Sequence, residues 1–256
     1  MSLLQVSKLT KNFGGLTAVN QVTFAIDAGA ILGMIGPNGA GKTTVFNLVT
    51  GFYAPDGGEI CFEGQSLAGL ASHQIVERGI ARTFQTIRLF PNLTVLENVM
   101  AGQHCRTRAG VWGAILRPPA QRAEEKAIRQ RAEEQLRFMG IDLLGGELAK
   151  NLSYGDQRRM EIARALATQP RLLMLDEPTS GLNEQESLAL RDLIGAIRQT
   201  GTTIFLIEHD MQVVMGISDR IVVLVNGSKL TEGTPQEVQR DVRVIEAYLG
   251  EDEEEE

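Results

Sequence analysis

Two short stretches of this 256-residue chain place residue types that chemistry needs at fixed spacing. GPNGAGKTT, Gly36 to Thr44, satisfies G-x-x-x-x-G-K-[ST] and lies between the apolar run AILGMI and the helical VFNLVTGF. In such a loop, glycines let backbone N–H groups curl around phosphates. A lysine reaches the β and γ phosphates, a hydroxyl coordinates Mg²⁺, and the helix start adds its dipole. Here the parts are Gly36, Pro37, Asn38, Gly39, Ala40, Gly41, Lys42, Thr43 and Thr44, with Lys42 for the phosphates and Thr43 for the metal. The four fixed positions match by chance in roughly one chain of this length in a hundred at average composition, and the strand–loop–helix setting lowers that further.

The second stretch is RLLMLDEP, residues 171–178. A buried strand delivers Asp176 to its C-terminal end, where open α/β sheets bind their ligands. Asp176 is expected to hold Mg²⁺ through water, and Glu177 to position and polarise an attacking water. Alone, a core strand ending in acids is commonplace; paired with Gly36–Thr43 it reads as the second half of a hydrolytic site. A third stretch, LSYGDQRRMEIARAL (152–166), sets Ser153 and Gly155 at the front of an amphipathic run. Capped helix starts of this kind attract anions, so the chain has a second anion-seeking helix start far from its glycine loop.

These residues need a scaffold. LLQVSKLTKNF, AVNQVTFAID and AILGMIG read as strands over residues 3–35, the second half-buried, with Val19, Val22, Phe24 and Ile26 mostly on one face. The continuous apolar runs at 31–35, LLMLD (172–176), TTIFLIE (202–208) and IVVLV (221–225) suit strands covered on both faces, and helical patterns separate them. The expected fold is therefore α/β: a parallel sheet with helices on its faces, preceded by an N-terminal antiparallel β subdomain. Residues 92–168 have no strong strand run. Arg122–Met139 is helical, with Ile128, Ala132, Gln135/Leu136 and Met139 on one face and Gly140 placed to cap it, so 92–168 reads as an inserted helical subdomain. Gly102–Pro119 looks like a loop or short insertion.

Composition narrows the class. Net charge is −7, but the six consecutive acids Glu251 to Glu256 account for all but one unit of it. The body over 1–250 is nearly neutral, which speaks against a nucleic-acid surface, and the tail reads as a solvated, disordered end. No apolar run approaches the ~18 residues of a membrane helix, and MSLLQVSKLTKNF has no signal-peptide core. Cys61 and Cys105 fit neither a disulfide framework nor a metal spacing, so a reducing compartment is expected.

Taken in order, the glycine loop, Gln85 in RTFQ, LSYGDQRR, LLMLDEP and IEHD resemble the ATP-binding-cassette (ABC) ATPase family over nearly the whole chain, a P-loop NTPase fold. The resemblance implies an ATP hydrolase using ATP and Mg²⁺, with two cassettes meeting head-to-tail. Ser153 and Gly155 then contact the γ-phosphate held by the partner's glycine loop, which accounts for the second anion-seeking helix start. It also implies that Gln85 senses Mg²⁺ and the water and faces a membrane partner, that His209 contacts the γ-phosphate, and that Phe13 in KNFGG stacks on adenine. On their own, Phe13 reads equally as strand packing, Gln85 as surface and His209 as a strand-end histidine. Two departures stand out: the family's LSGGQ is LSYGD here, with Tyr154 and Asp156, and its SALD is SGLN, Ser180 to Asn183. Asn183 still hydrogen-bonds across an interface but carries no charge, which bears on how tightly the two sites couple.

Within the family, RTFQTIRLFPNLTVLENV, LSYGDQRRMEIARAL and the ending VIEAYLGE look closest to an ATP-binding subunit of high-affinity branched-chain amino-acid importers. That implies a peripheral protein on the cytoplasmic face of a bacterial-type inner membrane. Its expected partners are separate integral-membrane permease subunits, a second ATP-binding subunit in a homo- or heterodimer, and a periplasmic or lipid-anchored solute-binding protein. Urea or amide uptake, lipid export and a soluble non-transport ABC ATPase are the alternatives. The chain itself never touches the solute, so no pocket in it names one.

Overall fold

A computed structural model of the chain describes residues 2–103 and 119–249. The tail Glu251–Glu256 and most of the Gly102–Pro119 stretch, with His104 and Cys105, lie outside the described residues. Two sheets form the scaffold. The first is antiparallel, in the order β2-β1-β4-β5: β1 (Ser2–Phe13), β2 (Leu16–Asp27), β4 (Gly57–Phe62) and β5 (Gln65–Ser66). Val19 and Val22 stand three apart, yet both are buried with Phe24 and Ile26. The register between β1 and β2 shifts on either side of Leu9, and Lys8 and Gln21 there take φ of 49° and 48°. Each shift is a bulge that restores the inward face after an odd step.

The second sheet has the order β10-β9-β3-β8-β7-β6. Its strands β3 (Ile31–Ile35), β6 (Ile80–Arg82), β7 (Leu172–Asp176), β8 (Thr203–Ile207) and β9 (Arg220–Val225) run parallel, and β10 (Ser228–Gly233) closes one edge antiparallel to β9. Every residue of β3, β7 and β8 is buried, as their unbroken apolar runs demand. The period-two alternation splits them between two cores. Ile31, Ile35, Leu173, Leu175, Ile204 and Leu206 face one cluster together with Leu190, Ile194 and Ile197 of the long helix α6 (Glu184–Gln199). Leu32, Met34, Leu172, Met174, Phe205 and Ile207 face the other, with Val45, Phe46 and Val49 of α1 (Lys42–Val49) and the inner side of the antiparallel sheet. The edge strands β6 and β10 are what the sequence pattern does not reveal. One spans only three residues and the other is half-exposed, so neither makes an apolar run.

After α2 (Ser72–Glu77) and β6, the chain builds helices before β7 returns to the sheet. These are α3 (Val95–Gly102), α4 (Pro119–Phe138) and α5 (Tyr154–Leu166). Thr94 caps α3 through a reciprocal pair with Glu97. In α4, Ala132 and Leu136 are buried together with Met139 just beyond it, and Gly140 stops the helix at φ 71°. Helix α7 (Met211–Ile217) joins β8 to β9, and α8 (Pro235–Arg240) and α9 (Val242–Leu249) follow β10. Among the described residues, no helix is long and apolar enough to cross a membrane.

Candidate active site

The site lies at the C-terminal ends of the parallel strands. The loop from Gly36 to Gly41 leaves β3 and runs into α1. Gly36 takes φ 149°, and a Cβ built there would fall on the Leu224 carbonyl oxygen; Gly41 takes φ 98° and abuts the Ala18 carbonyl in the same way. Both positions therefore require glycine. Lys42 is buried, and its Nζ donates to the carbonyls of Gly36 and Pro37, the latter at 2.8 Å. The lysine thus spans the mouth of its own loop, with its charge held where a polyphosphate would sit.

A cleft of about 760 Å³ opens over this loop, lined by Asn38 to Thr44, Phe13, Leu16 to Ala18, Gln85, Glu177 and Asn226–Gly227. Phe13 is 42% exposed and rests edge-on against Tyr53, with ring centroids 5.2 Å apart. Lys11 Nζ lies over the same ring, 5.5 Å from its centroid, so the exposed part of the ring stands at the rim beside a cation.

Three of the residues singled out by sequence meet on one carboxylate. Gln85 donates from Nε2 to Glu177 Oε2 at 2.7 Å, and His209 Nδ1 lies 3.7 Å from the same oxygen. Glu177 takes φ 45°, and its N–H donates to Ile207 O at 2.9 Å. Beside it, Asp176 is buried at the end of β7. Oδ2 accepts from Arg82 Nη2 at 2.6 Å, whereas Oδ1 is buried with no protein partner. Burial pushes the Asp176 carboxyl above the ordinary carboxylate range, and the Arg82 guanidinium opposes that rise. Asp176 offers a buried carboxylate oxygen without a donor and the exposed Thr43 lines the cleft, and oxygen groups of these two kinds suit a hard, water-carrying cation.

Ser153 and Gly155 are elsewhere: neither lines the cleft. Ser153 caps α5, with Oγ accepting from Asp156 N at 3.2 Å and donating to Asp156 Oδ2 at 2.7 Å. Asp156, a departure from the family pattern, therefore completes the cap. Asn183 is spent within its own chain, Oδ1 accepting from Glu186 N at 2.9 Å at the start of α6.

Four groups that sequence reading passed over hold these loops in place. Arg82 reaches Asn47 and Thr50 of the α1 end as well as Asp176. Arg158 is fully buried, pairs with Glu161 at 2.9 Å and donates to the carbonyls of Phe84 and Gln85. Burial drives the Glu161 carboxyl up, against the pull of Arg158. Glu208 is buried as well, and its Oε1 accepts from Thr179 N at 2.8 Å and Thr179 Oγ1 at 2.6 Å, tying the loop after Glu177 to the strand end before His209. Arg82 stands three residues before Gln85 and Arg158 sits inside the signature stretch. The one available signal was thus their position within the motifs.

Comparison with known proteins settles the family. A model of the family described as ABC transporter matches residues 19–180. The chain belongs to the ABC transporter family. The chain is accordingly an ABC-type ATPase. A second model, described as branched-chain amino acid ATP-binding cassette transporter, matches residues 228–254. The high-affinity branched-chain amino acid transport ATP-binding protein LivG of Escherichia coli K12 is 49% identical, over 97% of this chain and 98% of its own length. Among solved structures, the ADP conformation of MJ1267, an ATP-binding cassette of an ABC transporter, superposes with a TM-score of 0.86 at 30% identity, covering 98% of this chain and 99% of that one. The dimeric, post-hydrolysis structure of the ATP-binding cassette MJ0796 with ADP and phosphate superposes with a TM-score of 0.76 at 26% identity, covering 91% and 98%.

Lys42→Ala removes the cation that spans the loop, so affinity for a labelled ATP analogue should fall below detection at micromolar nucleotide. Equilibrium binding measures this, and unchanged affinity would place the phosphates elsewhere.

Proposed function

We propose that this chain is the ATP-hydrolysing subunit of an importer for branched-chain, hydrophobic amino acids. The observation that carries the solute class is likeness at both levels: near-half identity to LivG along its full length, and the branched-chain-specific model over the C-terminal segment. In this reading the cassette spans residues 1–250 with 92–168 as its helical subdomain. It sits on the cytoplasmic face of the membrane, beneath two permease subunits and beside a second ATP-binding subunit, and a solute-binding protein delivers the amino acid outside. Exposed Phe52, Phe90 and Leu93 flank the Gln85 segment and offer an apolar footing for the permease.

ATP binds along the cleft with its adenine against Phe13 and its phosphates in the Gly36–Thr44 cradle, where Lys42 turns from loop carbonyls to phosphate oxygens. Thr43, Gln85 and Asp176 would hold Mg²⁺, which when bound would neutralise phosphate charge. Because Gln85 spends Nε2 on Glu177, its carbonyl oxygen is the atom left for the cation. Glu177 accepts a proton from water as the water oxygen attacks the γ-phosphorus and the bond to the bridging oxygen breaks, giving ADP and phosphate. Gln85 and His209 hold that carboxylate in place, and His209 contacts the γ-phosphate. Ser153 and Gly155 of one cassette face the γ-phosphate of the other, and Asn183 lies at that interface.

Glu177→Gln should bind MgATP as the parent does and turn it over ~10²–10⁴-fold more slowly, the span for loss of a general base. Near-parental turnover would reassign the base, with His209 next in line. The solute class is tested in vesicles holding the chain with its permeases and second ATPase. Binding protein loaded with leucine, isoleucine or valine should stimulate hydrolysis. Stimulation by urea or short amides instead would overturn the branched-chain assignment.

A further inference from the structure

The residue after the capping serine is glycine in the family's usual signature and tyrosine here, and the structure gives that tyrosine work a glycine cannot do. Tyr154 is 43% exposed, yet the hydroxyl end of its ring meets two other parts of the chain. Its hydroxyl accepts from Arg158 Nη2 at 3.1 Å, and the Arg158 guanidinium lies 5.7 Å from the ring centroid. Its ring edge covers Gly181, where a Cβ would come within 3.0 Å of Tyr154 Cε1. Gly181 takes φ 80° and belongs to the SGLN loop between Glu177 and α6.

Arg158 is the other half of the arrangement. Nη1 donates to Phe84 O at 2.8 Å and to Glu161 Oε2 at 2.9 Å; Nη2 donates to Gln85 O at 2.9 Å and to Tyr154. Glu161 Oε1 in turn accepts from Phe84 N at 3.2 Å. The segment that carries Gln85 is thus gripped through its backbone by α5, the helix that Ser153 caps. Arg158 Nε is already buried without a partner. Removing the tyrosine hydroxyl leaves a second donor of a fully buried guanidinium unmet, and a buried unmet donor relaxes its surroundings to find one.

We propose that Tyr154 is a positioning residue for ATP hydrolysis. It clamps the Ser153 helix start to the Gln85 segment through Arg158, and to the SGLN loop through its ring on Gly181, so that the three move as one piece. This rests on the reading of Gln85 and Glu177 given above. In the clamped arrangement, Gln85 Nε2 stays at bonding distance from Glu177. When the clamp is loosened, the Gln85 backbone slackens and the carboxylate loses its partner, while the Gly36–Thr44 cradle is untouched.

Two variants separate the ring from the hydroxyl. Tyr154→Phe keeps the ring on Gly181 and removes only the bond to Arg158; Tyr154→Gly restores the family's usual residue and removes both. The first readout is hydrogen–deuterium exchange on the isolated full chain, which needs no partner subunit. Tyr154→Phe should speed exchange over residues 83–86 and leave 180–182 unchanged, and Tyr154→Gly should speed both. The second readout is steady-state hydrolysis in the assembled transporter. With one hydrogen bond to a charged group lost, kcat should fall about tenfold with KM for ATP within about twofold. Unchanged exchange over 83–86 in Tyr154→Phe overturns the clamp. Faster exchange with unaltered kcat makes the tyrosine a structural residue and overturns its part in hydrolysis, as does a loss of kcat matched by a lower Tm and a raised KM. If exchange and kcat respond as expected but amino-acid-loaded binding protein fails to stimulate the parent complex, the importer reading fails and the clamp stands.

Discussion

One turn decides what this chain can do: the step from Asp176 to Glu177 at the end of β7. Asp176 is the last residue of a strand buried on both faces, so its carboxylate has no freedom and little water. Glu177 then takes a left-handed backbone conformation, φ 45°, which costs a non-glycine residue on the order of 1–3 kcal/mol and persists only where its surroundings impose it. Its N–H on Ile207 imposes the backbone, and Gln85 holds the side chain. The turn separates two adjacent acids by role. One stays among Arg82 and the strand ends with an oxygen turned to no protein donor; the other swings over the cleft beside Gln85 and His209.

Everything else keeps that turn in register with the glycine loop. The two are carried by β7 and β3, which are separated by β8 alone in the sheet. Arg82 bridges them from below, bonding the end of α1 and Asp176 at once. Glu208, at the end of β8, holds the loop that follows Glu177. Arg82, Asp176 and Glu208 thus do for this site what a packed apolar core does for the sheets. Each is costly to bury and each has a designated partner, Asp176 through Oδ2 alone.

The sheet strands and the chemistry-bearing loops were legible because their signals are local. An apolar run such as Ile31–Ile35 demands a strand covered on both sides, and the glycine loop is recognised from the spacing within Gly36–Thr44 alone. The capping serine of α5 was legible for the same reason. What was not legible depends on distant partners. Arg158 looks no different from the adjacent Arg159 in the sequence, and only the carbonyls of Phe84 and Gln85, more than seventy residues earlier, make it a buried anchor. Tyr154 read as a departure from a motif rather than as a contact, because Gly181 and Arg158 meet it only in three dimensions. The three-residue β6 and the largely unburied β4, β5 and β10 escaped notice because pairing, not hydrophobic pattern, makes them strands.

The helix start at Ser153 does not line its own cleft, and in the proposed head-to-tail dimer a second cassette gives it a ligand. Such head-to-tail pairing would make each hydrolytic site from two chains, so lesions in the glycine loop and in the signature should complement across the dimer. The direct test mixes Ser153→Arg with Lys42→Ala in excess MgATP, at concentrations where the parent chain hydrolyses ATP. In the mixed dimer one site carries both lesions and the other neither, so ATPase activity should partly return although each variant alone is inactive. No recovery on mixing, or loss of ATP binding to the Ser153→Arg monomer, would mean that the serine serves its own chain's nucleotide and that the site is not shared.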